Sequence, residues 1–149
     1  MSAVPAAPDR SILFGVSVCI FRGDAVLMVQ RGKAPGIGRW APVGGGIEPG
    51  ESAEAAALRE VAEEVGVTIR LIGRVGTREI VPDPAPAEGP RRIVLEVFAA
   101  LWSAGEPVAA SDARAARFVA PDDLAALPTM AGIEPWIEAA RRLCDGVDP

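Results

Sequence analysis

The stretch Gly44–Val67, GGGIEPGESAEAAALREVAEEVGV, decides the fold. A Gly- and Pro-rich entry gives way to a run of Ala, Leu, Glu and Arg, which favour helix. Ser52 can cap the start with its hydroxyl, Glu54 suits the first turn, and Gly66 suits the end. The spacing predicts a helix over 52–65. At about 100° per residue, Ala55, Leu58, Ala62 and Val65 gather on one side, the expected core face. Glu60, Glu63 and Glu64 then share a sector away from it, with Arg59 as the one cation at the edge. Like charges at these spacings are neighbours and each pair disfavours the helix by about 0.2–0.5 kcal/mol. A solvated face mixes its signs more evenly, whereas a divalent cation reverses the sign of that repulsion. Oxygen ligands without His or Cys nearby suit Mg2+ or Mn2+.

The entry loop carries its own information. Its glycines let backbone approach a ligand closely. Gly45 and Gly50 are even spaced as in a phosphate-binding loop, but Glu51 stands where that motif needs Lys. An acid there repels phosphate, so a kinase or ATPase loop is excluded. A metal must stand between these carboxylates and any phosphate.

These residues resemble the Nudix box, which specifies a Gly, a later Glu, and then Arg-Glu, an aliphatic, any residue, Glu-Glu, any residue, Gly and an aliphatic. Gly45, Glu51, Arg59, Glu60, Val61, Glu63, Glu64, Gly66 and Val67 fill every specified position. The flanks are similar too: AVLMVQRGKAPGIGRWAPVGG before the box, and EPVAASDARAARFVAPDDLAAL towards the end. The resemblance covers most of 12–127. It implies an α/β fold, an α/β/α sandwich with a mixed β-sheet flanked by helices. It implies a hydrolase that cleaves a nucleoside diphosphate linked to another group X. By the match, Glu60, Glu63 and Glu64 are the metal-binding carboxylates, with a backbone carbonyl near Gly44 or Gly45 as a further ligand. Arg59 and Glu51 would pair to hold the loop against the helix and orient Glu60. The family often has Leu-Pro before the double Gly; here Pro42-Val43 shifts the fixed dihedral by one residue.

Within that resemblance, a carboxylate must take the proton from water, because the chain has no His. Glu60, Glu63 and Asp112 are the candidates, and Asp112 could equally be an ordinary loop cap. Selectivity for X is expected from the loop 82–90 and its flanking Arg78, Arg91 and Arg92. Arg suits phosphate bidentately, though each could instead be a surface residue. Trp40 could stack on a base or anchor its loop in the core. Phe14, Phe98 and Trp102 are assigned to the core. ADP-ribose or a similar nucleotide sugar is the expected substrate. A MutT-type triphosphate pyrophosphohydrolase that removes oxidised nucleotides is the alternative, and a Nudix-fold ligand sensor without turnover is a third reading. The intact box argues against a sensor.

Working outward, Ile12–Phe21 and Ala25–Gln30 are apolar, β-branched runs joined by Arg22–Asp24, a hairpin pattern. Arg31–Gly50 is a loop with a short strand near Trp40–Val43. Val67–Val75, Thr77–Val81, Ile93–Trp102 and Arg117–Val119 read as strands. A short helix opens at Pro121. A last helix, Pro135–Cys144, places Trp136, Ile137, Ala140 and Leu143 on one face. Residues 1–10, rich in Pro and Ala, are expected to form a flexible lead. Residues 11–149 form a single domain, since no linker or repeat interrupts them.

Composition fits. The chain has 149 residues, 50% of them apolar and 23% charged, with a net charge of -5 and a pI near 4.8. That acidity gives no help to nucleic-acid binding, and an RNA-decapping role finds no basic surface. Cys19 and Cys144 lie far apart and read as reduced, packed thiols of a cytoplasmic protein. Ser11–Phe21 is too short to span a bilayer. A small-molecule nucleotide is the expected partner, with no membrane, and a homodimer follows from the resemblance alone.

Overall fold

A computed structural model describes residues 11–147. The expected flexible lead, residues 1–10, lies outside them. Six strands form one sheet: β1 (Ile12–Arg22), β2 (Ala25–Arg31), β3 (Trp40–Gly46), β4 (Thr68–Ile80), β5 (Arg92–Ala104) and β6 (Ala113–Val119). The spatial order is β4-β5-β1-β3-β2-β6. Only β1 and β5 run parallel; every other pair is antiparallel. The helices are α1 (Ala53–Glu64), α2 (Pro121–Leu124) and α3 (Glu134–Asp145).

Strand alternation sorts the core into two layers. Val16, Val18, Ile20, Val43, Phe98 and Ala100 face α1, which adds Ala56, Ala57, Val61 and Val65. Cys19, Phe21, Met28, Val97 and Ala99 face the other way, against Ile137, Ala140 and Cys144 of α3. The result is the expected α/β/α sandwich around a mixed sheet. Both cysteines are free and buried. Among the described residues, no helix is long and apolar enough to cross a membrane.

Several boundaries differ from the sequence reading. β4 is one strand, where two were expected. Its register shifts near Gly73 and Gly76 instead of breaking. Both glycines lack the side chain that α3 would meet: a Cβ on Gly76 would stand 3.3 Å from the Trp136 ring, and one on Gly73 would stand 3.4 Å from Leu143. β3 continues through the three glycines to Gly46, and β6 begins at Ala113 rather than Arg117. Phe98 is buried as expected and Trp102 partly so, but Phe14 is 57% exposed, near the outer end of β1.

The largest correction concerns α1. Its buried residues are Ala56, Ala57 and Val61, whereas Leu58 is 49% exposed and Ala55 and Ala62 face solvent. The sheet-facing stripe therefore runs through 53, 56, 57, 60, 61 and 64. Glu60 and Glu64 lie on that stripe, between α1 and β3, not away from it. Alanine dominates the helix, so its apolar contrast is weak, and the two acids had been set on the wrong side.

Candidate active site

Ser52 Oγ accepts from the Ala55 N–H at 3.1 Å and starts α1. The helix ends where Gly66 adopts φ +71 and donates to the Val61 carbonyl at 3.0 Å. Between these caps, Glu60 and Glu64 are held beside the glycine run of β3, while Glu63 is half exposed and accepts from Arg59. The fit is close: a Cβ on Gly45 would stand 2.3 Å from the Glu60 carboxylate. Gly44 donates its backbone N–H to Glu64. The Gly45 carbonyl lies against β1, where a Cβ on Gly15 would stand 2.6 Å from it.

Arg59 organises the other side. Its Nε and Nη2 donate to the two oxygens of Glu51 at 2.8 and 2.9 Å, a bidentate pair. Nη2 also donates to the Gly46 carbonyl at 2.8 Å. Nη1 donates to Glu60 at 2.9 Å and Glu63 at 3.2 Å. One guanidinium thus ties the entry loop, the end of β3 and two helix carboxylates together. Glu51 also accepts the Glu48 N–H at 3.0 Å. The Arg59 hydrogen bonds, then that N–H, pull the Glu51 carboxyl down to about 2.

Glu60 and Glu64 behave oppositely. Burial raises the Glu60 pKa, against the pull of Arg59. Burial first, then the Glu60 charge, pushes Glu64 up to about 7, despite the Gly44 N–H and the nearby Arg31. A part-buried acid that resists ionisation marks a place short of positive charge. Among the described residues, no three Cys, Asp or Glu side chains converge tightly enough to enclose a metal as they stand. Arg59 Nη1 contacts both Glu60 and Glu63, and the Glu63 carboxylate is half exposed and able to turn away. The donor set is all oxygen, and the glycine run leaves Glu60 no spare room. These features fit a hard divalent cation.

A family model for the NUDIX domain matches residues 13–140. The chain belongs to the Nudix family. It is a Nudix hydrolase, an enzyme acting on a pyrophosphate bond, and hydrolases of this family generally use divalent metals. A Mycobacterium tuberculosis protein provisionally named 8-oxo-dGTP diphosphatase 2 is 33% identical over 132 residues, covering 88% of this chain and 89% of that one. The crystal structure of a MutT Nudix hydrolase from Burkholderia pseudomallei is 26% identical with a TM-score of 0.72, covering 86% of this chain and 97% of that one. The Nudix domain of Shewanella oneidensis NrtR, complexed with ADP-ribose, is 25% identical with a TM-score of 0.71, covering 92% of each chain.

Arg59 joins Glu51, Glu60 and Glu63, and Glu64 lies beside Gly44, whereas the residues proposed outside the box scatter. Asp112 arrives at the site's edge, close enough to raise the Glu64 pKa, and pairs with Lys33 at 3.0 Å. Arg78 donates to the Ala131 carbonyl at 2.5 Å, against the loop that leads into α3. Arg92 forms an ion pair with Glu79 across β4 and β5 at 2.5 Å. Arg91 donates its backbone N–H to the Ser11 carbonyl at 2.7 Å. None of these three touches the box carboxylates. Trp40 is 8% exposed, in the core layer facing α3, with the Arg117 guanidinium 5.1 Å over its ring. That is the anchoring role, not an open stacking platform. The sequence reading had missed Arg31, half-buried beside Glu64 and Asp112. Its signal was the QRGK run where β2 ends, cations placed just before a glycine-rich loop.

Proposed function

We propose that this Nudix hydrolase cleaves the pyrophosphate bond of a nucleoside diphosphate linked to a second group, with ADP-ribose or a similar nucleotide sugar as first candidate. The observation that carries it is the placement of Glu60 and Glu64 against the β3 glycines, with Arg59 and Glu51 locking the entry loop over them. Glu60, Glu63, Glu64 and the Gly45 carbonyl would hold Mg2+ or Mn2+. When bound, such an ion neutralises phosphate charge and lowers the pKa of a bound water.

The chain's own groups do the rest. Arg59 spends its donors on Glu51, Glu60, Glu63 and Gly46, so it orients ligands rather than binding phosphate. With no His in the chain, Glu60, Glu63 and Asp112 are the groups of the cluster that can accept a proton from water.

Two relatives favour different substrates. ADP-ribose is supported by the ligand named for the NrtR domain. An oxidised nucleoside triphosphate is supported by the name of the mycobacterial relative. A diphosphate ester brings less negative charge than a triphosphate, and two of the site's cations are committed: Arg59 to carboxylates and Arg31, through Nε, to the Pro35 carbonyl. That charge balance puts ADP-ribose first. Product analysis separates them. AMP plus ribose phosphate means a diphosphate-linked substrate; a nucleoside monophosphate plus pyrophosphate means a triphosphate.

A further inference from the structure

We propose that Lys33 is a phosphate ligand of this site, and that its ion pair with Asp112 is exchanged for the substrate's phosphate when nucleotide binds. The proposal rests on the placement of the reacting phosphates at Glu60, Glu63 and Glu64.

Three cations stand by the carboxylates, and two are committed. Arg59 is held by hydrogen bonds to three carboxylates and a carbonyl. Arg31 is part-buried, with Nε fixed on the Pro35 carbonyl at 2.7 Å. Lys33 differs from both. Its side chain is 67% exposed, and its one ion pair is with an Asp112 that is 62% exposed. An exposed pair of this kind adds little net stability, so exchanging it is cheap. An ammonium on a flexible stem can make that exchange, and it binds phosphate as a point charge.

The backbone fixes where the pair sits. Ala110 and Val108 donate their N–H groups to the Glu64 and Val65 carbonyls at 3.0 and 3.1 Å, so the loop before β6 is built onto the end of α1. Ser111 then takes φ +57, a left-handed turn rare outside glycine, and brings Asp112 round beside Glu64. From the other side, the end of β2 presses in closely: a Cβ on Gly32 would stand 2.2 Å from the Asp112 carbonyl oxygen. Backbone contacts on both sides therefore hold the Asp112–Lys33 pair at the loop that is bonded to the C-terminal end of α1. Moving Lys33 onto a phosphate leaves the Asp112 carboxylate free beside Glu64, so one step adds a cation to the substrate and a free base to the site.

Lys33 is the sole lysine of the chain, which makes the test direct. Parent protein would be exposed to an amine-acylating reagent with and without Mg2+ and ADP-ribose, the latter as its non-hydrolysable methylene analogue. Modification of Lys33 would be followed by peptide mass spectrometry, with the N-terminal amine as internal reference. The proposal expects ADP-ribose to slow acylation of Lys33 selectively, by ~5-fold or more at saturation. It also expects Lys33→Gln to raise KM ~10-fold and Lys33→Arg to restore most of it, since a guanidinium also binds phosphate. An unprotected Lys33 at saturating nucleotide, or an unchanged KM in Lys33→Gln, would overturn it. Full activity in Glu60→Gln is a separate outcome: it would overturn the site assignment, and the proposal with it.

Discussion

Glu64 meets two demands that conflict without a metal. It sits on the sheet-facing stripe of α1, and the proposed metal site requires it to carry charge there. Its pKa of about 7 in the fold, against 4.5 unperturbed, has a consequence for stability. Below about pH 4.5 both folded and unfolded chains hold the proton. From there to about pH 7 the unfolded chain ionises first, so stability falls as pH rises. Glu64→Gln removes that loss. In chelator, the variant's melting temperature should match the parent's near pH 4.5 and exceed it increasingly up to pH 7, then plateau. Thermal melts across that range check it; a variant less stable at pH 8 would mean the carboxylate is structural. Glu51 is the reverse case, an acid kept ionised by Arg59 down to about pH 2, so its lock persists across the same range.

Gly45 makes the second residue-scale prediction. A methyl there would meet the Glu60 carboxylate at 2.3 Å. Gly45→Ala should displace Glu60 and lower turnover by at least ~10²-fold, since small misplacements of catalytic groups have effects of that size. Circular dichroism should show the fold retained. Full activity would mean that Glu60 has room to spare and is not a positioned ligand.

For the element α1, the sequence showed the helix, its caps and its cluster of carboxylates, and hid the face that packs. Ala-rich turns carry little hydrophobic contrast, so Leu58 was the strongest apolar marker, and it points outward. Glu60 and Glu64 lie on the sheet-facing stripe against β3, a departure from the usual polar-out pattern of the kind expected at a functional site. Leu58→Ala should therefore change stability by less than about 1 kcal/mol, as an exposed substitution. Val61→Ala, which empties a fully buried position, should lose about 1–3 kcal/mol. Denaturant melts decide between the faces; the opposite ranking would restore the face expected from sequence. The strands were legible where β-branched runs ended in Gly or Pro. The split placed in β4 failed because Gly73 and Gly76 serve packing against α3, a tertiary reason absent from the strand's own sequence.

At the scale of the whole molecule, the box is local in sequence, and so it was readable. Arg59, Glu51 and the three carboxylates come from one loop and one helix. Residues set by distant strands were not readable. Arg78 and Arg92 proved tied elsewhere, and Trp40 is core. Arg31 comes near Asp112 through the pairing of β2 with β6, and Lys33 follows through its ion pair with Asp112. The two buried cysteines report on the whole fold. Burial pushes the Cys19 thiol up to about 12 and also raises Cys144, so little thiolate exists near neutrality. Native protein should resist thiol reagents, and both residues should label on unfolding. Rapid labelling of native protein would show that the α3 layer opens.

The most direct test of the account is Mg2+- or Mn2+-dependent turnover across ADP-ribose, nucleotide sugars, dinucleotides, and normal and oxidised nucleoside triphosphates, with products identified for the parent, Glu60→Gln and Glu64→Gln. The account predicts cleavage at a pyrophosphate bond, fastest with a diphosphate-linked substrate and yielding AMP plus ribose phosphate from ADP-ribose. Both variants should fall at least ~10²-fold. Turnover that survives in either variant, or no metal-dependent cleavage of any nucleotide while the fold and metal binding are intact, would contradict it.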